Sequence, residues 1–225
     1  MADTSFLDEY RVPHRPHDRA LARRNPLLAA WRHFQEPYLV NFQTFDIESF
    51  RLDKGAHFRA YGVRTRCVHR YAFAVPSDDA LATIATWGPI VQMGAGTGYW
   101  AWLLQRDYGV DILPYDIAPP MRGANYWFKR REFVPILPGT PETLSQHPDR
   151  TLFLCWPPMS DMAESCLQHY PGRTVIYIGE GDGGCTADDA FFARLEAEWD
   201  EVVDLAIPQW EYIHDALTVY QRKPR

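Results

Sequence analysis

The run Ile90-Val91-Gln92-Met93-Gly94-Ala95-Gly96-Thr97-Gly98-Tyr99-Trp100 places three glycines at alternate positions between a short apolar stretch and an amphipathic one. Glycine lets such a turn adopt left-handed conformations, and it lets a ligand lie against the backbone with no Cβ in the way. About twenty residues further on, a second apolar run, Val110 to Tyr115, ends in Asp116. A carboxylate at the tip of the next strand is placed to accept hydrogen bonds from ribose hydroxyls. Loop and acid together read as a nucleoside-cofactor site on an α/β sheet.

The glycine spacing narrows the choice of cofactor. A dinucleotide fingerprint is GxGxxG, with its last glycine packed under a pyrophosphate. Here that last position is Tyr99, followed by Trp100. Two large aromatics would crowd a pyrophosphate and suit a cofactor that has none. The pattern resembles motif I of the class I S-adenosylmethionine-dependent methyltransferases, and Asp116 matches the ribose-binding acid of their second strand. The resemblance implies S-adenosylmethionine as cofactor, cradled by Gly94, Ala95, Gly96 and Gly98, with its methionine tail and sulfonium over the loop. Valine at Gly96 is then expected to occupy the ligand's space. Gln92 stands where many family members carry an acid that orients the cofactor's amino-acid end, and Asn125 is expected to reach the adenine side.

The second chemical feature is Cys155-Trp156-Pro157-Pro158-Met159, which follows an almost wholly apolar run, Thr151 to Cys155. Proline fixes φ and removes a donor, so the chain leaves this strand in a rigid turn. In the methyltransferase fold this strand end faces the methyl group, which makes Trp156 and Pro157 the expected acceptor-side residues. The segment resembles the loop of amino-methyltransferases in which Asn, Asp or Ser precedes two prolines. Trp156 departs from that pattern, because its indole N–H is a donor only. Met159 replaces the aromatic on which a flipped base would stack. A cationic sulfonium is favoured beside aromatic faces, and Tyr71, Tyr99, Trp100 and Trp156 are candidates for such walls.

Candidate bases lie further on. Glu180 sits in the glycine-rich stretch Gly179 to Thr186, and His214-Asp215 precedes the last apolar run. An activated imidazole there would deprotonate a hydroxyl acceptor. The acids of the Glu180 loop fit no calcium spacing, and the histidines and cysteines lack the spacing of a zinc site, so no metal is expected.

These groups need a scaffold that brings strand ends together. From residue 71 to about 222, apolar strand-like runs alternate with amphipathic helical ones, with strands expected at 90–93, 110–115, 133–137, 151–155, 174–178, 201–207 and 216–221. Ser77-Asp78-Asp79 can cap a helix, and Gly88-Pro89 can stop it. The expected fold is a Rossmann-like α/β methyltransferase domain over residues 76–225, with a mostly parallel seven-stranded sheet and an antiparallel last strand. Residues 1–75 carry Arg11, Arg15, Arg19, Arg23, Arg24 and Arg32, with apolar positions at Leu21, Leu27, Leu28, Trp31 and Phe34 near helical spacing. Phe42, Phe45, Ile47, Phe50 and Leu52 suggest a partly buried connection. This third reads as a helical extension acting as lid or interface.

The totals fit that plan. A chain of 225 residues is long enough for one domain with an appendage. Aromatics make up 14% of it, with eight tryptophans, which suits an aromatic-lined pocket. A net charge of −6 argues against a large duplex footprint. No apolar run approaches the roughly 20 residues of a membrane span, and the first residues lack the pattern of a signal peptide. Cys67, Cys155, Cys166 and Cys185 are scattered without CxxC spacing, as expected of reduced thiols in a cytoplasmic protein. The expected function is methyl transfer to a small-molecule or peptide acceptor. Two alternatives stand beside it: a nucleic-acid amino-methyltransferase with the arginine-rich N-terminus as a basic arm, and a non-catalytic binding protein of the same fold.

Overall fold

Seven short runs of mostly apolar sequence form the strands of one sheet in the computed structural model: Ile90–Met93 (β1), Ile112–Asp116 (β2), Leu137–Pro138 (β3), Thr151–Cys155 (β4), Thr174–Gly179 (β5), Trp199–Ala206 (β6) and Ala216–Arg222 (β7). The structure describes residues 16–34, 54–123, 125–128 and 130–224, with side chains from residue 20 in the first segment and from 62 in the second. The sheet order is β3-β2-β1-β4-β5-β7-β6. Pairings from β3 through β5 are parallel, and β7 runs antiparallel to both β5 and β6. This is the Rossmann-like methyltransferase fold.

Strands β1 and β4 are adjacent and buried on both faces, which explains their lack of alternation. Their residues divide two apolar clusters. Ile90, Phe153, Ile176 and Val219 face one side with Leu81, Leu103 and Leu104; Val91, Leu152, Leu154 and Val175 face the other with Cys166, Leu167 and Phe191.

The helices are Pro16–Arg24 (α1), Pro26–Phe34 (α2), Lys54–Arg70 (α3), Asp78–Ala85 (α4), Tyr99–Tyr108 (α5), Met162–His169 (α6) and Asp189–Glu198 (α7). Helix α4 begins as the sequence suggests, with Ser77 Oγ accepting the Ala80 N–H at 3.2 Å. The apolar pattern from Leu21 to Phe34 is broken into two helices at Asn25-Pro26. Asn25 Oδ1 accepts the Leu28 N–H at 3.1 Å, and Pro26 takes the first helical position, where its missing N–H costs nothing. Leu27, Leu28, Ala30 and Trp31 are buried in the same cluster as Ile90 and Leu103. Helix α2 therefore completes the core on that face of the sheet.

One strand is shorter than its sequence pattern. Only Leu137 and Pro138 pair with β2, instead of the stretch from Phe133. Pro135 lacks a ladder donor. The Phe133 N–H donates to the Thr97 carbonyl at 2.8 Å, so this segment lies over the glycine loop before it reaches the sheet.

Arg11, Arg15 and the apolar positions from Phe42 to Leu52 lie outside the described residues, as does the side chain of Arg19. Arg23, Arg24 and Arg32 are exposed, and Arg24 pairs with Asp78 at 2.6 Å. No described helix is long and apolar enough to cross a membrane.

Candidate functional site

The carboxyl ends of β1, β2 and β4 open into a cleft of about 670 Å³. The loop after β1 forms one side of it. Gly94, Gly96 and Gly98 have φ values of 74°, 54° and 71°, a region that residues with a Cβ rarely enter. The Ala95 N–H donates to the Tyr115 carbonyl at 2.9 Å, and the Thr97 hydroxyl donates to the Tyr71 carbonyl. These bonds hold the loop between β2 and the segment after α3.

Asp116 closes the arrangement. Its Oδ2 accepts the Gly96 N–H at 2.9 Å, and its Oδ1 accepts the Ala118 N–H at 2.9 Å. Burial pushes this carboxyl above its ordinary value, against the two N–H groups that favour its charge. Asn125 Nδ2 adds a long third bond, to Oδ1, at 3.5 Å. A carboxylate has about four lone-pair sites, so one stays fully available, on Oδ2, at a residue that lines the cleft. Gln92 also lines the cleft, is buried, and has an Oε1 with no hydrogen-bond partner. An orphaned buried acceptor is costly, and a ligand donor such as an ammonium would satisfy it.

Gly94, Ala95, Gly96, Tyr71, Tyr99, Trp100 and Asn125 line the same cleft, whereas Gly98 does not. Gly98 caps α5 from a left-handed conformation, and a Cβ there would meet Ile136 and Val134 at 2.7 and 2.8 Å. At Gly96 the nearest obstacle to a Cβ is Phe128 Cε2, at 2.5 Å. The need for glycine at this position thus comes from its left-handed backbone together with the protein's own ring over the loop. Tyr99 reaches the cleft while its hydroxyl donates to Asn25 Oδ1 at 2.8 Å, and its ring packs on Tyr71 and Phe133. Asn125 shapes the loop after β2: its Nδ2 donates to the Ala118 carbonyl, and its Oδ1 accepts the N–H groups of Trp127 and Phe128.

Trp156 and Pro157 line the cleft where β4 ends. The Trp156 backbone lies at φ 55°, with its N–H donating to the Ile178 carbonyl at 2.7 Å. Its ring stacks on Phe73, with centroids 5.1 Å apart and planes 16° apart. The indole Nε1–H donates to Asp215 Oδ2 at 2.8 Å. Burial pushes the Asp215 carboxyl up to about 6, despite the bond from Trp156 that favours its charge.

Glu180 and His214 do not line the cleft. Glu180 Oε2 accepts the Cys185 N–H and Oε1 accepts the His214 N–H, both at 2.8 Å. Burial alone would raise this carboxyl, but its hydrogen bonds from Cys185 and His214 bring it below its ordinary value. Such a carboxylate ties two loops together and is a poor base. The His214 residue is exposed.

Sequence reasoning missed Phe73, Tyr126, Trp127, Phe128 and Cys185, all of which line the cleft. The dense run Tyr126-Trp127-Phe128 was the available signal. Tyr126, Trp127, Ile117 and Met159 are exposed apolar residues within the lining, so the cleft has an oily mouth. Among the described residues no group of three or more His, Cys, Asp or Glu side chains is arranged to hold a metal.

No protein-family model and no curated protein matches the sequence. Among solved structures, the chain is similar to MtNAS in complex with MTA and tNA, at 11% identity over 98% of this chain and 96% of that one, with a TM-score of 0.44. It is also similar to magnesium protoporphyrin IX methyltransferase (ChlM) from Synechocystis PCC 6803 with bound SAM, at 11% identity, covering 64% and 79%, with a TM-score of 0.38. The N-terminal domain of EvdMO1, in the presence of SAH and D-fucose, is similar at 14% identity, covering 73% and 97%, with a TM-score of 0.40. At these identities and scores the fold assignment rests on the chain's own strand order.

Proposed function

We propose that this protein is an S-adenosylmethionine-dependent methyltransferase whose acceptor is a small molecule or a peptide. The observation that carries this reading is the buried Asp116 carboxylate, tethered to Gly96 of the glycine loop, with acceptor capacity left on Oδ2 at the cleft edge. Asp116 accepts the ribose hydroxyls. The orphaned Gln92 Oε1 accepts from the ammonium of the methionine tail, and Asn125 borders the adenine side. The cofactor supplies a methyl group made electrophilic by the sulfonium.

The protein's own part is to orient the acceptor and exclude water, which is where an in-line displacement gains most. Phe73, Trp127 and Trp156 wall the cleft for that purpose, and its exposed apolar mouth suits an acceptor with apolar surface. A nucleic-acid amino-methyltransferase is disfavoured because the Trp156 indole is a donor only, committed to Asp215, so this side chain offers no acceptor for an amine proton. Residues 1–75 contribute to the wall, since Tyr71, Ala72 and Phe73 line the cleft and the Arg64 guanidinium lies 5.9 Å from the centre of the Trp156 ring. Four free cysteines, two of them buried, suit a cytoplasmic protein.

Mass spectrometry of the purified protein for carried-over cofactor, followed by calorimetry with S-adenosylmethionine and with NAD, tests the reading. Binding of the first and not the second is expected. Binding of NAD alone would overturn it. Turnover of labelled methyl onto candidate acceptors then tests catalysis.

A further inference from the structure

Three indoles in the described residues show how a buried N–H can be satisfied. Trp31 Nε1–H donates to the Gln209 carbonyl at 2.8 Å, and Trp210 Nε1–H donates to the Phe73 carbonyl at 3.1 Å. Backbone carbonyls serve both. Trp156 instead donates to a carboxylate that has no accessible surface. That choice is costly, because burial disfavours a charge that is not paired.

The surroundings of Asp215 give little compensation. Its Oδ1 is buried with no hydrogen-bond partner. The charged groups facing it are Arg64 from α3 and Glu180 after β5, one favouring its charge and the other opposing it. The Cys155 thiol at the end of β4 is close enough to feel the same carboxylate, and burial holds that thiol neutral. On its own segment His214 is exposed, and Gln209 Nε2 donates to the Asp215 carbonyl rather than to the carboxylate. Among the described residues, the one side-chain hydrogen bond that this carboxylate accepts comes from Trp156, beside a contact with its own backbone N–H.

Trp156 needs such a partner. Its backbone occupies a left-handed conformation that is unfavourable for a bulky residue, so the ring must be held by what it touches. Stacking on Phe73 sets its plane, but it leaves the ring free to slide and to turn over within that plane. The hydrogen bond to Asp215 removes that freedom.

We propose that Asp215 is a positioning residue, whose carboxylate orients the Trp156 indole as the wall against which the acceptor is placed. The proposal rests on the reading of this cleft as a methyl-transfer site. A charged acceptor forms the shorter and stronger bond, and protonation reduces it to an ordinary one. Because burial brings the carboxyl up to about 6, the orientation of the wall responds to pH near neutrality.

The test is ¹⁵N nuclear magnetic resonance of the indole groups, with the Trp156 Nε1–H signal assigned by its loss in Trp156→Phe. In the wild-type protein this signal is expected to shift by several tenths of a ppm as pH is lowered, with a midpoint near 6. Asp215→Asn keeps an acceptor oxygen without a titrating proton, so its indole signal should stay sharp and lose that titration. A second readout uses protein saturated with S-adenosylmethionine labelled with ¹³C in its methyl group. The bound methyl resonance should follow the same midpoint in the wild type and be flat in Asp215→Asn. An indole that does not titrate in the wild type, or titrates equally in Asp215→Asn, overturns the proposal; so does an indole titration that leaves the bound methyl unmoved. Failure of every form to bind the cofactor would instead sink the methyltransferase reading, and the indole titration would then decide the role of Asp215 alone.

Discussion

The Gly96 N–H donates to Asp116 Oδ2 at 2.9 Å, a bond that joins the glycine loop after β1 to the acid at the end of β2 across 20 residues of sequence. The Asp116 carboxylate and the glycine loop are therefore one unit, with Ala118 N–H on the other oxygen fixing the carboxylate plane. A change at either end disturbs both.

Asp116→Ala removes the carboxylate and leaves the Gly96 N–H unpaired. The affinity for S-adenosylmethionine should fall by about 1.5–3 kcal/mol, the range for hydrogen bonds to a charged group. Isothermal calorimetry measures this directly. Unchanged affinity would remove Asp116 from the site.

Gly96→Val places a branched side chain at φ 54°, where its Cβ would lie 2.5 Å from Phe128 Cε2. The ring must move, and Phe128 lines the cleft. Cofactor binding should drop by more than tenfold, about 1.4 kcal/mol or more. Phe128→Ala in the same background should recover part of the loss, because it removes the obstacle. No recovery would place the obstacle elsewhere, in the ligand's own space.

At Trp156 the ring matters more than its proton for shape, and the proton matters for alignment. Trp156→Phe keeps a stacking surface for Phe73 and should retain substantial turnover, whereas Trp156→Ala opens the wall to water and should lose about tenfold more. Single-turnover rates with a saturating acceptor would distinguish them. Equal rates for the two variants would show that the ring does not position the acceptor.

Asp215 has a stability consequence with a definite sign. The folded protein holds this proton more tightly than the unfolded chain, so folding stability falls as pH rises from the ordinary value of 3.8 through about 6. The rise corresponds to about 3 kcal/mol. Asp215→Asn should therefore be more stable than the wild type at about pH 8, and the two should converge near about pH 4. Urea unfolding at the two pH values checks this. A variant less stable than the wild type at the higher pH would show that the charge is stabilising where it lies.

Leu28 is buried in the cluster that also holds Ile90 and Leu103. Leu28→Ala should cost about 2–5 kcal/mol in chemical denaturation, the usual range for a leucine in a well-packed core. A cost within experimental error would mean that α2 rests on the sheet without completing its core.

Much of the fold was legible because its signals are local. Buried parallel strands are apolar on both faces, so β4 and β5 stand out as nearly uninterrupted runs and β1 as one broken by Gln92. Helix α4 announces itself through Ser77, and the glycine loop through its spacing. The third strand was overread, since Pro135 interrupts an apolar run whose N-terminal part is drawn onto Thr97. The helical pattern from Leu21 to Phe34 did show its break in the Asn25-Pro26 pair, although periodicity alone passed over it.

The meeting of Gly94, Gly96 and Asp116 at one side of the cleft could be read from sequence for the same reason: they follow or end two consecutive strands, and their turn chemistry is written in adjacent residues. The far half could not. Trp156 meets Asp215 across 59 residues because β7 inserts beside β5 and brings the segment before it to the end of β4. Glu180 and His214 looked like bases from their residue types alone, and only the packed loops show the Glu180 oxygens occupied by backbone N–H groups. Local sequence determines which backbone conformations and burial patterns a segment favours. Which side chains then meet depends on strand order and on the costs of burial, and these exist only once distant segments have packed together.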